Sequence, residues 1–546
     1  MDILNKTGKV FKGFIEVLFV IMAVYILIAT IAIDRNINSP CPNTVLFDNS
    51  AYFLVALLML GGFFYMFYMC PTHRQPGKEL SQARFYYVLA TLALVVAVLQ
   101  FFISRWMPLQ IEHFNSDFKV TMEGAWELAH GGSLENYNYF KTNPNNLNVT
   151  IVLSLVYRLF PDIRATVILG AWLTNLSVVL ASLSVYNITK REDIALATAV
   201  TGELLVALTW RAFLVYTDNY AMIFIALMIW LYTTGIKPEI KNPLIMLFAV
   251  CATYIKITAV VVFVAIVING LISWLRSDSR KLNIRRMALY AGCAIALFGA
   301  MFALQGPIRS SCGFKPGLYP KGWQYMFMVG QGDKRIGLVG GGNNGIRTDY
   351  ISKYKDLKMV NREMFNRAIK RIKRRGLWGN IVFYAKKFTV AYNDGYFNNV
   401  QQETMYKMDR SLLYEIYMKP GKYYQISATV FQILWDAILS VIMLYAFVGL
   451  WISLRGHGGK MARNGGGNPA DRLNPLEAQQ KRSAVDAVLL SKIAIIGVTV
   501  YLMMLEGRSK YIYMFLPVYL LAFGTMFDRI CRLVSRTLAP LCGAKG

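Results

Sequence analysis

Charge is scarce in this sequence, and acid is scarcer than base. Of 546 residues only 16% are Asp, Glu, Lys or Arg, and 31 acids face 58 lysines and arginines, a formal net charge of +27. Soluble domains carry about a quarter of their residues as charges. With 55% hydrophobic residues and a mean hydropathy of +0.40, an ordinary soluble enzyme is excluded. Histidine is nearly missing, with four residues, and the seven cysteines are scattered. No His/Cys spacing suggests a zinc site. No Gly-x4-Gly-Lys phosphate loop occurs, nor a Gly-x-Gly-x-x-Gly turn between strand and helix, which removes the usual nucleotide sites. "GGGNN" (340–344) reads as a flexible turn, and "RGHGGKMARNGGGNPADRLNP" (455–475) as a flexible tether without chemistry. In a soluble protein the basic excess would point to nucleic acid. Here much of it sits in short loops beside apolar runs, where loop orientation and anionic lipid headgroups account for it. Membrane lipids are the expected partners, and nucleic acid is not.

What the chain does have is long apolar runs. A spanning helix takes roughly 20 apolar residues. Twelve runs qualify, with eleven to thirteen inside the boundary error: 14–33, 51–69, 85–104, 164–188, 192–212, 218–235, 241–255, 257–275, 287–306, 427–452, 487–505 and 511–531. The expected fold is an all-α polytopic membrane protein of the cell membrane. The first run has no small-residue cleavage site, so it reads as a permanent helix. Lys6, Lys9 and Lys12 precede it and place the N-terminus in the cytoplasm by the positive-inside rule. The loops 70–84, 187–193, 276–286 and 453–486 fall on the same side, as does the C-terminus with Arg529, Arg532 and Arg536. The outer side receives 105–163, 215–219, 307–426 and the stretch 506–513. The expected organisation is an accessory N-terminal hairpin, 1–84, then a core, 85–306, with its outer loop at 105–163. An outer segment, 307–426, and C-terminal helices, 427–546, follow, the latter with a Gly-rich cytoplasmic loop at 453–486.

Two stretches resist simple assignment. Residues 145–160 are apolar but short for a span. As an interfacial helix they leave every basic loop inside, whereas as a further span they invert the later loops. The segment 359–387 holds nine Lys/Arg and one acid, on the side where fewer are expected. Phe365, Ile369 and Ile372 recur there at helical spacing, so it reads as an amphipathic helix on the membrane. Its cations either anchor it or steer a phosphate-bearing lipid. Cys41 and Cys312 both fall outside and could pair, while Cys251, Cys293 and Cys531 sit in apolar runs as packing residues.

The outer residues suggest chemistry. Asp117 follows the end of a span by a dozen residues and precedes a weakly helical pattern, Val120, Ala125 and Leu128, that stops at Gly131–Gly132. A carboxylate near the membrane surface suits a general base, although a lone loop Asp is ordinarily just solvated. The arrangement "SDFKVTMEGAWELAHGG…YFKTNPNNLNVTIVLSLVYRLF" resembles the first outer loop of bacterial integral-membrane glycosyltransferases of the GT-C superfamily. These are similar in architecture to the protein O-mannosyltransferases and the lipid A aminoarabinose transferases. The resemblance implies Asp117 as the base. It makes "NPNNLNVT", with Asn145 and Asn146, the polar entry to a juxtamembrane helix walling the site. "YTDN" supplies Asp218, and "ATYIKITAVV" resembles the lysine-bearing helix with Lys256. "KKFTVAYNDGYF" resembles an aromatic-Asp-Gly element of a Gram-positive branch, with Asp394, which is alternatively a turn residue. "EGRSKYIYMFLP" resembles the late outer stretch, with Glu506, Arg508 and Lys510, which could also be a salt-bridged helix end. The resemblance covers most of the chain from about residue 100, and the hairpin 1–84 departs from it.

The implied activity is inverting sugar transfer from a polyprenyl-phosphate donor to a glycan, lipid or protein acceptor on the outer face. No cofactor is expected, and a divalent cation is left open. The rival class is a lipid-linked-sugar flippase using Glu203, Lys256 and Asp436 as a polar pathway, although no inverted repeat is visible.

Overall fold

The computed structural model describes residues 2–31, 49–69, 82–106, 117–276, 280–338, 342–397, 411–418, 421–458 and 475–538. Among them every regular element is a helix. Eight helices are long and apolar enough to cross a membrane: Asn5–Ile31, Ser50–Met69, Gln82–Trp106, Ile163–Thr189, Ile257–Leu275, Ala288–Ser311, Tyr424–Trp451 and Ala487–Met504. The four other expected spans also form helices but are shorter or more polar. Glu192–Gly202 has 11 residues and passes into a π turn, Glu203–Ala207, and a 3-10 turn, Trp210–Phe213. Thr217–Thr233 has 17 residues, Pro238–Ile255 opens on a polar turn, and Leu516–Leu538 carries Asp528, Arg529 and Arg532. Cys41 and most of the Gly-rich loop lie outside the described residues, so the Cys41–Cys312 pairing does too.

Small residues explain the centre of the bundle. Ile163–Thr189 buries Gly170, Ala171, Ser177, Ala181, Ser182 and Ser184, and it packs against Gln82–Trp106, Glu192–Gly202, Thr217–Thr233 and Leu516–Leu538. Between lipid-exposed helices no hydrophobic drive remains, and close van der Waals approach takes its place. A Cβ added to Gly202 would lie 2.6 Å from Val178, and one added to Gly524 would lie 2.6 Å from Val185. At the other extreme, only 6% of the apolar window of Ala288–Ser311 is buried, a surface that water would not tolerate as a contiguous patch. The N-terminal helix Asp2–Ile31 packs on Tyr424–Gly458, Leu357–Tyr392 and Pro475–Met504, and Lys492 pairs with Glu16.

The ambiguous stretch 145–160 becomes a helix of 13 residues, Leu147–Leu159. At about 1.5 Å per residue it is about 20 Å long, short of a hydrocarbon core of about 30 Å. It lies against Asp117–Ala129, with Val149, Thr150, Leu153 and Tyr157 buried and Leu155, Leu159 and Phe160 exposed. Gly124 permits this approach, since a Cβ there would meet Leu134, Phe140 and Thr150 at 3.1–3.2 Å.

The basic segment lies in Leu357–Tyr392, a helix broken at Gly376 (φ 63°, ψ −172°), where a positive φ suits glycine. Within the protein its buried stripe is Val360, Met364 and Ala368, next to the Phe365, Ile369 and Ile372 stripe read as facing the membrane. The phase is set by packing on Trp323–Gly330, and Phe365 instead flanks Trp323 and Phe327. The two large loops are stitched together: Lys321 N donates to Thr142 O at 2.9 Å, and Leu134 N to Cys312 O at 3.0 Å.

Candidate active site

Asp117 opens the helix Asp117–Ala129, and its carboxylate accepts from the Tyr216 hydroxyl at 3.2 Å. Tyr139 donates to it as well. The Asn146 amide in turn donates to both hydroxyls, to Tyr216 at 3.2 Å and to Tyr139 in close contact. All polarity therefore runs one way, amide to hydroxyl to carboxylate. Burial, then the Asp117 charge, pushes the Tyr139 hydroxyl well above the ordinary phenol range, so it stays a donor. Asn145 is exposed and donates to Asn146 Oδ1 at 3.0 Å, bracing that amide from outside.

Asp218 also sits in the first turn of its helix, but it is fully buried. Arg211 holds one carboxylate oxygen at 2.7 Å and Lys256 the other in direct contact. Lys256 is not within a helix. It is an extended residue (φ −146°, ψ 111°) between Pro238–Ile255 and the 3-10 turn Ile257–Ala259. The break turns its ammonium toward Asp218 and between the rings of Tyr216 and Tyr511, at 5.9 and 5.1 Å. Asp218 thus stands behind Lys256 and fixes it.

The third side is the loop after Pro475–Met504. Glu506 forms an ion pair with Arg508, Nε lying 2.6 Å from Oε1, and accepts from the Tyr511 hydroxyl at 2.7 Å. Ser509 donates to Asp394 Oδ2 at 2.6 Å, and the Tyr396 amide caps the same carboxylate at 3.3 Å. Asp394 is thereby both a turn residue and an anchor for this loop. Lys510 lies over the Tyr511 ring at 5.0 Å. Burial lowers its pKa to about 8, with Arg508 and Arg211 adding to the depression while Glu506 and Asp117 oppose it. Those mutual effects put Asp117, Arg211, Glu506, Arg508 and Lys510 in one electrostatic neighbourhood. Lys321 joins it, since Asp117 and Glu506 both raise its pKa against the lowering by burial.

Lys387, which the sequence offers only as one of many basic residues, holds this loop in place. Its buried ammonium donates to Gly330 O at 2.6 Å, Met503 O at 2.8 Å and Leu505 O at 2.6 Å. Three donors meet three carbonyls. Burial lowers its pKa well below the ordinary range. Arg211 had a visible signal, a cation in an apolar run seven residues before Asp218. Tyr139, Tyr216 and Tyr511 had none, because 32 tyrosines are too many to single out three.

Among the described residues no three of His, Cys, Asp and Glu come together as a metal cluster. The rival polar pathway is divided. Lys256 belongs to Asp218, and Asp436 accepts from Gln432 at 2.9 Å. Glu203 is buried in the π turn with neither carboxyl oxygen hydrogen-bonded among the described residues.

Fold and site together define a polytopic all-helical protein with a charged, tyrosine-lined cluster at the helix ends. The chain belongs to the family described as conserved hypothetical integral membrane protein, which matches residues 7–310. No curated protein matches it. A solved structure similar to it is the crystal structure of ArnT from Cupriavidus metallidurans bound to undecaprenyl phosphate, at 14% identity over 85% of this chain and 81% of that one, with a TM-score of 0.30. Similarity that loose assigns neither residue roles nor a substrate.

Proposed function

We propose that this protein is a glycosyltransferase that moves a sugar from a polyprenyl-phosphate donor to an acceptor of the cell envelope, on the outer face of the membrane. The observation that carries the reading is the meeting of one hydroxyl-flanked carboxylate, Asp117, with the cations Lys256, Arg508 and Lys510 at the ends of apolar helices. A base and a phosphate-binding set in one neighbourhood are what direct displacement at an anomeric carbon requires. Asp117 takes the proton of the acceptor hydroxyl, and that oxygen attacks the anomeric carbon from the side opposite the phosphate. The carbon–oxygen bond to phosphate breaks, and polyprenyl phosphate leaves with the electron pair. The configuration inverts. Arg508 and Lys510 stabilise the charge that grows on the leaving phosphate. Asp218 acts through Lys256, keeping its ammonium extended toward the site. Asn146 and the two tyrosines aim Asp117, Asp394 holds the 506–510 loop, and Asn145 supports Asn146. The resemblance to the GT-C superfamily in the outer loops supports the same reading.

Purified protein in lipid, given a synthetic polyprenyl-phosphate sugar and a panel of acceptors, should release polyprenyl phosphate. A guanidinium grips two phosphate oxygens where an ammonium holds one. Arg508→Lys should therefore cut turnover by about 10-fold, the equivalent of one charge-assisted hydrogen bond. Movement of intact donor between leaflets without cleavage would replace the transferase reading with a flippase.

A further inference from the structure

A second basic site lies away from Asp117. A cavity of about 520 Å³ opens where the turn 332–335, the start of Asn343–Tyr354 and the first half of Leu357–Tyr392 meet. Four of its cations, Arg367, Lys370, Arg371 and Arg374, come from the long helix, and two, Lys334 and Arg335, from the turn. Against these six stands one lining carboxylate, Asp333, and it is already engaged by Arg375 at 2.7 Å and by Arg374. Like charges gathered on a concave wall repel one another, and a bound anion relieves that repulsion.

The cavity is also built rather than incidental. Arg371 is partly buried and donates to Met328 O at 2.5 Å and to Asn343 Oδ1 at 3.0 Å, which fixes the start of Asn343–Tyr354 at the rim. Gly342, at φ 84°, precedes that 12-residue helix, and no side chain caps it. Its first-turn amides and the positive end of its dipole therefore add to the cations at the wall. Burial and the charges of Arg367 and Arg374 lower the pKa of Arg371, as expected for a cation among cations. Just past the cavity the helix breaks at Gly376, and Leu377 and Trp378 are 82% and 75% exposed. An exposed Trp following Lys and Arg is the pattern of a residue at the membrane interface. Such a position suits a cavity that meets lipid phosphates.

We propose that this cavity is an anion site for a phosphate-bearing group. It is separate from the phosphate site assigned to Arg508 and Lys510, and it stands whether or not the chain transfers sugar. The phosphate reaches it either on a lipid headgroup or on a soluble, polymer-borne group.

Two arms separate those sources, both on full-length protein carrying Arg508→Ala, so that the first site does not report. In detergent, inorganic pyrophosphate is titrated calorimetrically. In nanodiscs of phosphatidylcholine with or without phosphatidylglycerol, retained lipid is counted by native mass spectrometry. Saturable binding of one anion per protein is expected, and Arg367→Glu with Lys370→Glu should weaken it by about 10-fold or more, the scale of lost charge-assisted hydrogen bonds. The conservative pair Arg367→Lys and Lys370→Arg should retain it, which separates lost charge from lost folding. Binding of pyrophosphate alone assigns a soluble or polymeric phosphate; retention of phosphatidylglycerol assigns a headgroup. No saturable binding in either arm, or unchanged binding in the charge-reversed pair, overturns the proposal.

Discussion

Asp117 and Asp218 begin alike and end as opposites. Each occupies the first turn of a helix, where a carboxylate is favoured by the helix dipole. Asp117 is half-buried and faced by neutral donors, two tyrosine hydroxyls ordered by Asn146. Asp218 is fully buried and faced by two cations. An acid clamped between Arg211 and Lys256 cannot reach a substrate and is costly to protonate. An acid met by hydroxyls and only half-buried suits the proton transfer proposed for it. The same residue type at the same helical position is thus clamped by cations at Asp218, whereas the partners of Asp117 suit the proton transfer proposed for it.

The comparison breaks most sharply at Asp218. Asp218→Asn leaves Arg211 and Lys256 buried without their counter-charge, and removing one partner of a buried pair costs about 3–5 kcal/mol. Detergent-solubilised Asp218→Asn should therefore unfold well below the wild type in a thermal scan, while the partly exposed Asp117→Asn should unfold within a few degrees of it. Equal stability of both variants would show that Asp218 is not the structural acid. Tyr216→Phe is a smaller perturbation. It removes one hydroxyl from Asp117 and should lower turnover by about 5-fold, the worth of one hydrogen bond of roughly 1 kcal/mol, with donor binding unchanged. An effect on donor binding instead would move Tyr216 from the base to the phosphate side.

The finest adjustment is in Lys510. Its pKa is lowered to about 8, so it is charged below that pH and neutral above it. Donor affinity should fall as pH rises through about 8, because the neutral amine no longer attracts phosphate. Lys510→Arg, charged throughout, should remove that limb from the pH profile of donor binding. A limb that survives in Lys510→Arg would belong to another group.

Part of this was legible in the chain itself. Lys256, Glu506, Arg508 and Lys510 sit where apolar runs stop and Asp117 a dozen residues past one, so a reading of run ends and loop charges already gathers them on one face. The position of Lys256 was visible as the residue between two runs, 241–255 and 257–275. Arg211 was visible as a cation in an apolar run, but its pairing with Asp218 was not, because the contact depends on the π turn Glu203–Ala207 and the 3-10 turn Trp210–Phe213, which break a run that looks continuous. Lys387 was hidden because it lies beyond the break at Gly376, which separates it from the basic stripe it seems to continue. The face buried on the partner helix Trp323–Gly330, with Val360, Met364 and Ala368, was not legible either, because only that partner defines it.

The central proposal is that Asp117 takes the proton of the acceptor hydroxyl. Its most direct test is release of polyprenyl phosphate from a synthetic donor by lipid-reconstituted Asp117→Asn, measured beside donor-lipid binding by the same preparation. Turnover should fall by about 10²-fold or more, the scale of a lost general base, with binding near the wild-type value. Wild-type turnover by Asp117→Asn would contradict the account.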